Sequence, residues 1–171
     1  RDCVAIGSNA GRTQQGSDCV AIGSNAGQYQ EYQCVAIGSL AGYNTQGQGG
    51  IAIGYAAGAN TQGQNATSIG VYAGQTNQGT QAVAIGNIAG ANNQGAGAVA
   101  IGNGTGSGTQ GTGSIAIGNQ SGAVKQGAYC ISLGPASGQF TQAGYAIAIG
   151  LYSGQYNQGS RSIAIGYNSA L

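Results

Sequence analysis

Val4, Ala5, Ile6 and Gly7 set out a pattern of two branched aliphatic residues around one small residue, closed by glycine. It returns at Val20, Val35, Ile51, Thr67, Val83, Val99, Ile115, Ile131, Ile147 and Ile163. Large and small apolar positions alternate as a pleated strand requires, and helix formers at helical spacing are missing. A unit this short cannot enclose a core alone. Each copy therefore predicts one rung of a stack in which neighbours bury one another.

The glycine ending each tetrapeptide, from Gly7 to Gly166, marks a corner. A second arm follows, carrying Ala10, Ala26, Ala41, Ala57, Ala73 and Ala89, then Thr105, Ser121, Ser137, Ser153 and Ser169. It ends in a Gln-Gly pair such as Gln46-Gly47 or Gln94-Gly95. Two short strands and two glycine corners close one flattened coil, so the fold class is all-β: a parallel β-solenoid of about eleven sixteen-residue rungs forming one domain over 1–171. Rung two is one residue short between Gln28 and Gln33 and lacks the Gln-Gly pair, which predicts a local distortion. Strands stack about 4.8 Å apart, making a rod roughly 50 Å long. The glutamine column predicts a structural ladder of side-chain amides along the axis.

Both faces of the first strand are restricted. One face holds Val4, Ile6, Val20, Ile22, Val35, Ile37, Ile51, Ile53, Val83, Ile85, Val99, Ile101, Ile115, Ile117, Ile131, Leu133, Ile147, Ile149, Ile163 and Ile165. The other holds only Ala and Ser, preceded by Cys, Ser, Ala or Gly. A thin coil has one inside, so a partner must cover the second face. Small residues suit the inside, where they meet the Ala or Ser of the second arm. Val and Ile then form an outward stripe of roughly 500 Å², at the upper limit for a soluble monomer. That predicts a constitutive oligomer with the stripe as its interface. The opposite arrangement, Val and Ile inside with a smooth Ala face outside, is the alternative.

Composition narrows the function classes. The chain has 36 glycines, one proline, one phenylalanine and no tryptophan or methionine, so no ordinary core of large side chains can form. Only 4% of residues are charged and the net charge is +1, which leaves no basic stripe for nucleic acid and no polybasic membrane patch. Apolar runs are too short to insert into a membrane as a helix. With no histidine and three scattered acids, Asp2, Asp18 and Glu31, catalysis is not expected, nor is a cofactor. The cysteine spacings do not match a metal site. Cys3, Cys19 and Cys34 instead share a column on consecutive rungs, where Cys3–Cys19 or Cys19–Cys34 could form a vertical disulfide. Cys130 lies far away as a small filler. Gly102-Asn103-Gly104-Thr105-Gly106 looks like a phosphate loop but lacks its lysine. Corner tyrosines could stack on sugar rings, though no single column collects them.

The motif [SAC]-[VI]-A-I-G-x-x-[AS], present in nearly every copy, resembles the head repeats of YadA-like trimeric autotransporter adhesins. It is also similar to AIGxxAG and NQG repeats in fibre proteins of phages and giant viruses. The adhesin resemblance implies left-handed parallel β-rolls joined as homotrimers, with small residues inside each roll and Val4, Ile6 and their column mates between chains. The sixteen-residue period and the Gln-Gly corner match a viral or other extracellular fibre more closely.

The functional expectation is a structural or adhesive fibre module at an extracellular, virion or cell surface, self-associating and possessing a glycan or receptor as partner. An ice-binding solenoid and a self-assembling filament subunit are the alternatives. Against ice binding, Thr45, Thr61, Thr109 and Thr141 are interrupted by Asn77, Asn93, Lys125 and Asn157. Neither end carries a polar cap, which predicts a segment of a longer fibre or units stacking end to end.

Overall fold

The computed structural model describes residues 2–170, and among them there is no helix. Eleven three-residue strands, from Val4–Ile6 to Ile163–Ile165, stack in chain order into one parallel sheet. The register is strict: Val4 pairs with Val20, Val20 with Val35, and Ile147 with Ile163. We call this the aliphatic sheet. Nine strands of two or three residues, from Gln14–Gln15 to Thr141–Gln142, form a second parallel sheet, and an isolated bridge from Gln142 to Gln158 extends it. This is the glutamine sheet. The chain is thus a β-solenoid with two strands per turn.

The small residues point inward. Ala21, Ala36, Ala52, Ala84 and Ala100 are fully buried, packed against Ala26, Ala41, Ala57, Ala73 and Ala89. The second strand is shorter and later than the sequence suggested. The Ala10 and Gly11 positions belong to a tight turn, and pairing resumes only at the last two or three residues before the corner. Three alternate positions with positive φ, such as Gly38, Leu40 and Gly42, bend the backbone too sharply for a strand to form there.

Two glycine columns make the coil possible. At Gly54 φ is +128°, and a Cβ there would lie 2.6 Å from the carbonyl oxygen of Gly70 on the next rung. Stacking thus requires glycine as much as the corner does. At Gly90 a Cβ would meet Oε1 of Gln94 at 2.7 Å. That glycine clears the space into which the glutamine folds.

The glutamines fill the middle of the coil. Gln46, Gln62, Gln94, Gln110 and Gln142 are at most 2% exposed. Each donates Nε2 across the coil to the aliphatic sheet: Gln46 to Val35 O at 2.8 Å, Gln94 to Val83 O at 2.8 Å, Gln110 to Val99 O at 2.7 Å. Along the axis Gln30 donates to Gln46 Oε1 at 3.0 Å, Gln78 to Gln94 at 3.2 Å and Gln142 to Gln158 at 3.0 Å. The expected ladder is present in segments, Gln15 to Gln46, Gln78 to Gln110 and Gln126 to Gln158, and it also ties the two sheets together. Where serine replaces the inner alanine, its hydroxyl joins the chain: Gln126 donates to Ser132 Oγ at 3.0 Å, which donates to Gln142 Oε1 at 2.7 Å. Oε1 of Gln62 and of Gln126 have no hydrogen-bond partner, and both glutamines lie one coil before such a serine, Ser68 or Ser132.

Rung two keeps its place in the ladder. Gln30 pairs with Gln15 on one side and Gln46 on the other, so the column is unbroken despite the missing residue. The deletion is absorbed between Gly27 and Gln30, and Glu31 stands where most other rungs have glycine.

Candidate functional site

The outward face of the aliphatic sheet repeats its two columns on every one of the eleven strands. Val20, Ile22, Val35, Ile37, Ile51, Ile53, Val83, Ile85, Val99, Ile101, Ile115, Ile131, Leu133, Ile147 and Ile149 are half-buried. Each is shielded along the axis by its column mates on the rungs above and below, and by nothing in front. Where that shielding is missing, exposure rises: Ile6 is 58% exposed at one end, Ile163 67% at the other. Ile117 and Ile69 are also exposed. The face is two aliphatic columns wide and carries no charged residue.

One flank extends this face. Tyr55, Val71 and Ile88 are exposed on the corner that follows the aliphatic strands, and Tyr55 and Tyr72 meet edge to face at 5.3 Å. Leu151 and Tyr152 continue it further along the rod. Ile88 adopts φ 57°, a left-handed conformation unusual for a branched side chain, and it is 42% exposed. The sequence places Tyr55, Tyr72 and Tyr152 in the corners but does not single out Val71, Ile88 or Leu151. Their positions vary from rung to rung, so only the folded corner shows that they sit beside the stripe.

The outer face of the glutamine sheet is polar and changes from rung to rung. Its amides bond to one another along the axis, Asn44 to Asn60 at 3.0 Å, Asn60 to Thr76 at 3.1 Å and Asn77 to Asn93 at 3.1 Å. Further along, Phe140 and Tyr156 stack at 4.8 Å with an interplanar angle of 9°.

Cys3, Cys19 and Cys34 do fall on consecutive rungs, and all four cysteines are free thiols in the structure. Cys3 is exposed and donates Sγ to Gly16 O at 2.9 Å; Cys19 is buried and donates to Glu31 O at 2.9 Å. The Cys34 N–H donates to Cys19 Sγ at 3.4 Å. Burial pushes the Cys34 thiol up to about 12, and burial likewise raises Cys130. Cys130 sits apart, its Sγ donating to Ala143 O at 3.0 Å. The glycine-rich run at Gly102 is an ordinary corner: Thr105 is fully buried and donates its hydroxyl to Gly118 O, which leaves it turned away from any phosphate.

Compared with known proteins, the chain matches no family model, no curated protein and no solved structure.

Proposed function

We propose that this chain is a structural and adhesive fibre module of an extracellular or virion surface, and that copies of it associate as a homotrimer through the Val and Ile face. The observation that carries this reading is the sidedness of the aliphatic strands. Alanine fills the coil, and the branched aliphatics are left outside on an uncharged face repeating every rung. A second copy offers the same spacing, so aliphatic columns can interdigitate over the full rod. Covering roughly 500 Å² of apolar surface per chain contributes about 12 kcal/mol, before the entropy lost on association. The corner residues Tyr55, Val71 and Ile88 widen the contact toward the area typical of stable assemblies.

Sedimentation equilibrium tests this reading. The expected mass is three times the 16.5 kDa of one chain. Ile85→Lys, set between Ile69 and Ile101 in the middle of the stripe, should leave the far-ultraviolet spectrum unchanged and yield monomers. A wild-type monomer at micromolar concentration would overturn the proposal. Ice binding has less support, since the polar face presents Thr, Asn, Lys and Tyr in turn, with its amides bonded to each other; thermal hysteresis in solution would restore it.

A further inference from the structure

Two concavities open at the rung that is one residue short. Glu31 occupies the place of a corner glycine, and its backbone N–H still donates to Gln46 O at 3.0 Å. Its side chain is exposed, with the carboxylate accepting the Gln48 N–H at 2.9 Å. On one side of it lies a concavity of about 570 Å³, lined by Thr13, Ser17, Tyr32 and Gln48. On the other lies one of about 340 Å³, lined by Tyr29, Asn44 and Thr45. Gln14, Gln30 and Glu31 line both.

The two tyrosines here stand apart from the stacked rings further along the rod. Tyr129 and Tyr145 stack at 5.4 Å and 22°, and Phe140 stacks on Tyr156, so these rings turn their faces toward each other along the axis. One face of each of these rings is covered by its partner. Tyr29 and Tyr32 are 46% and 59% exposed and pair with no other ring among the described residues. Each lines a different concavity beside a shared carboxylate, with amide and hydroxyl groups around it. No lysine or arginine lines either concavity.

From this arrangement we infer that the break at rung two is a binding site for a neutral oligosaccharide, two adjoining sugar rings lying in the two concavities. Tyr29 and Tyr32 supply apolar ring faces with polar tips. Glu31 accepts hydrogen bonds from sugar hydroxyls, and Gln14, Gln48 and Asn44 can both donate and accept. The volumes are of the size that small-molecule sites require. Lacking a cation, the site disfavours acidic sugars. This names the ligand class for the adhesive part of the proposed function and does not depend on how the copies associate.

Saturation-transfer NMR and titration calorimetry on the full chain, with maltotriose, cellotriose, triacetylchitotriose and sialyllactose as probes, test the inference. At least one neutral trisaccharide should bind, and sialyllactose should not. Tyr32→Ala should weaken that binding by about tenfold and Glu31→Gln by about threefold, whereas Tyr32→Phe should stay close to wild type. Tyr167→Ala, exposed at the far end of the rod, should change nothing. Absence of transfer from every neutral probe, equal binding of sialyllactose, or undiminished binding by both Tyr29→Ala and Tyr32→Ala would overturn the inference. Sedimentation of the same samples separates the two proposals. A sugar-binding monomer would sink only the trimer, and a trimer without sugar binding only this site.

Discussion

The two sheets of this solenoid share one rise and are each parallel, yet they are held in different ways. Aliphatic strands bury alanine, which has no polar group to satisfy, and their order rests on the backbone ladder and on glycine corners that let rungs approach. Glutamine strands are a residue shorter in most rungs and bury a long amide. That amide reaches the opposite sheet and the next rung at once, so the weaker sheet is held by side chains. The difference teaches that Ala, Gly and Gln act as one volume unit. Alanine on one wall and glycine in the turn leave the room that one glutamine fills, as at Ala84, Gly90 and Gln94. A slender coil can therefore have a polar centre, provided that nearly every amide finds a partner.

Perturbing each sheet at its own support sharpens this contrast. The largest effect is expected at the aliphatic sheet's corner. Gly54→Ala forces a Cβ against the Gly70 carbonyl at a φ of +128°, and backbone strain and overpacking together should cost about 3–6 kcal/mol, read as a lowered thermal midpoint. In the glutamine sheet, Gln94→Leu keeps the volume but removes the donor to Val83 O and the links to Gln78 and Gln110. A loss of about 2–4 kcal/mol in denaturant unfolding is expected. A cost near zero would show that the amide ladder is filler, and the contrast between the sheets would fail.

The thiol column offers the smallest effect. Cys34 has its pKa raised by burial to about 12, against 9.0 for the free thiol. The folded form therefore holds its proton longer than the unfolded chain, so the stability linked to Cys34 is intact below pH 9 and declines as pH rises toward 12. At pH 8, alkylation should modify the exposed Cys3 and spare Cys34 and Cys130 until the protein unfolds. Mass spectrometry of the labelled protein checks this order, and early labelling of Cys34 would mean that the first rungs open independently.

Much of this architecture was legible from the chain. The Val, Ala, Ile and Gly columns, the inward alanines and the glutamine ladder can all be read from the period, because residues one turn apart become neighbours when strands stack in register. The position of the second strand could not. Leu40, Ala56, Tyr72 and Ile88 take left-handed conformations that their side chains do not advertise, and those turns consume the stretch that the sequence suggested would pair. The distortion expected at rung two is confined to the turn before Gln30, which keeps its place in the column, while Glu31 takes a corner position that glycine holds in most rungs.

The repeat alone determined that the chain coils, that its rungs stack in parallel, and which residues share a column, since periodic side chains leave the backbone few other ways to pair. Tertiary structure decided what spans the coil. The reach of Gln94 to Val83 and the placement of Tyr29 and Tyr32 on either side of Glu31 depend on distances between walls that no spacing along the chain encodes. Those distances are set by how far two sheets can approach over alanine and glycine, and they exist only once the coil has closed.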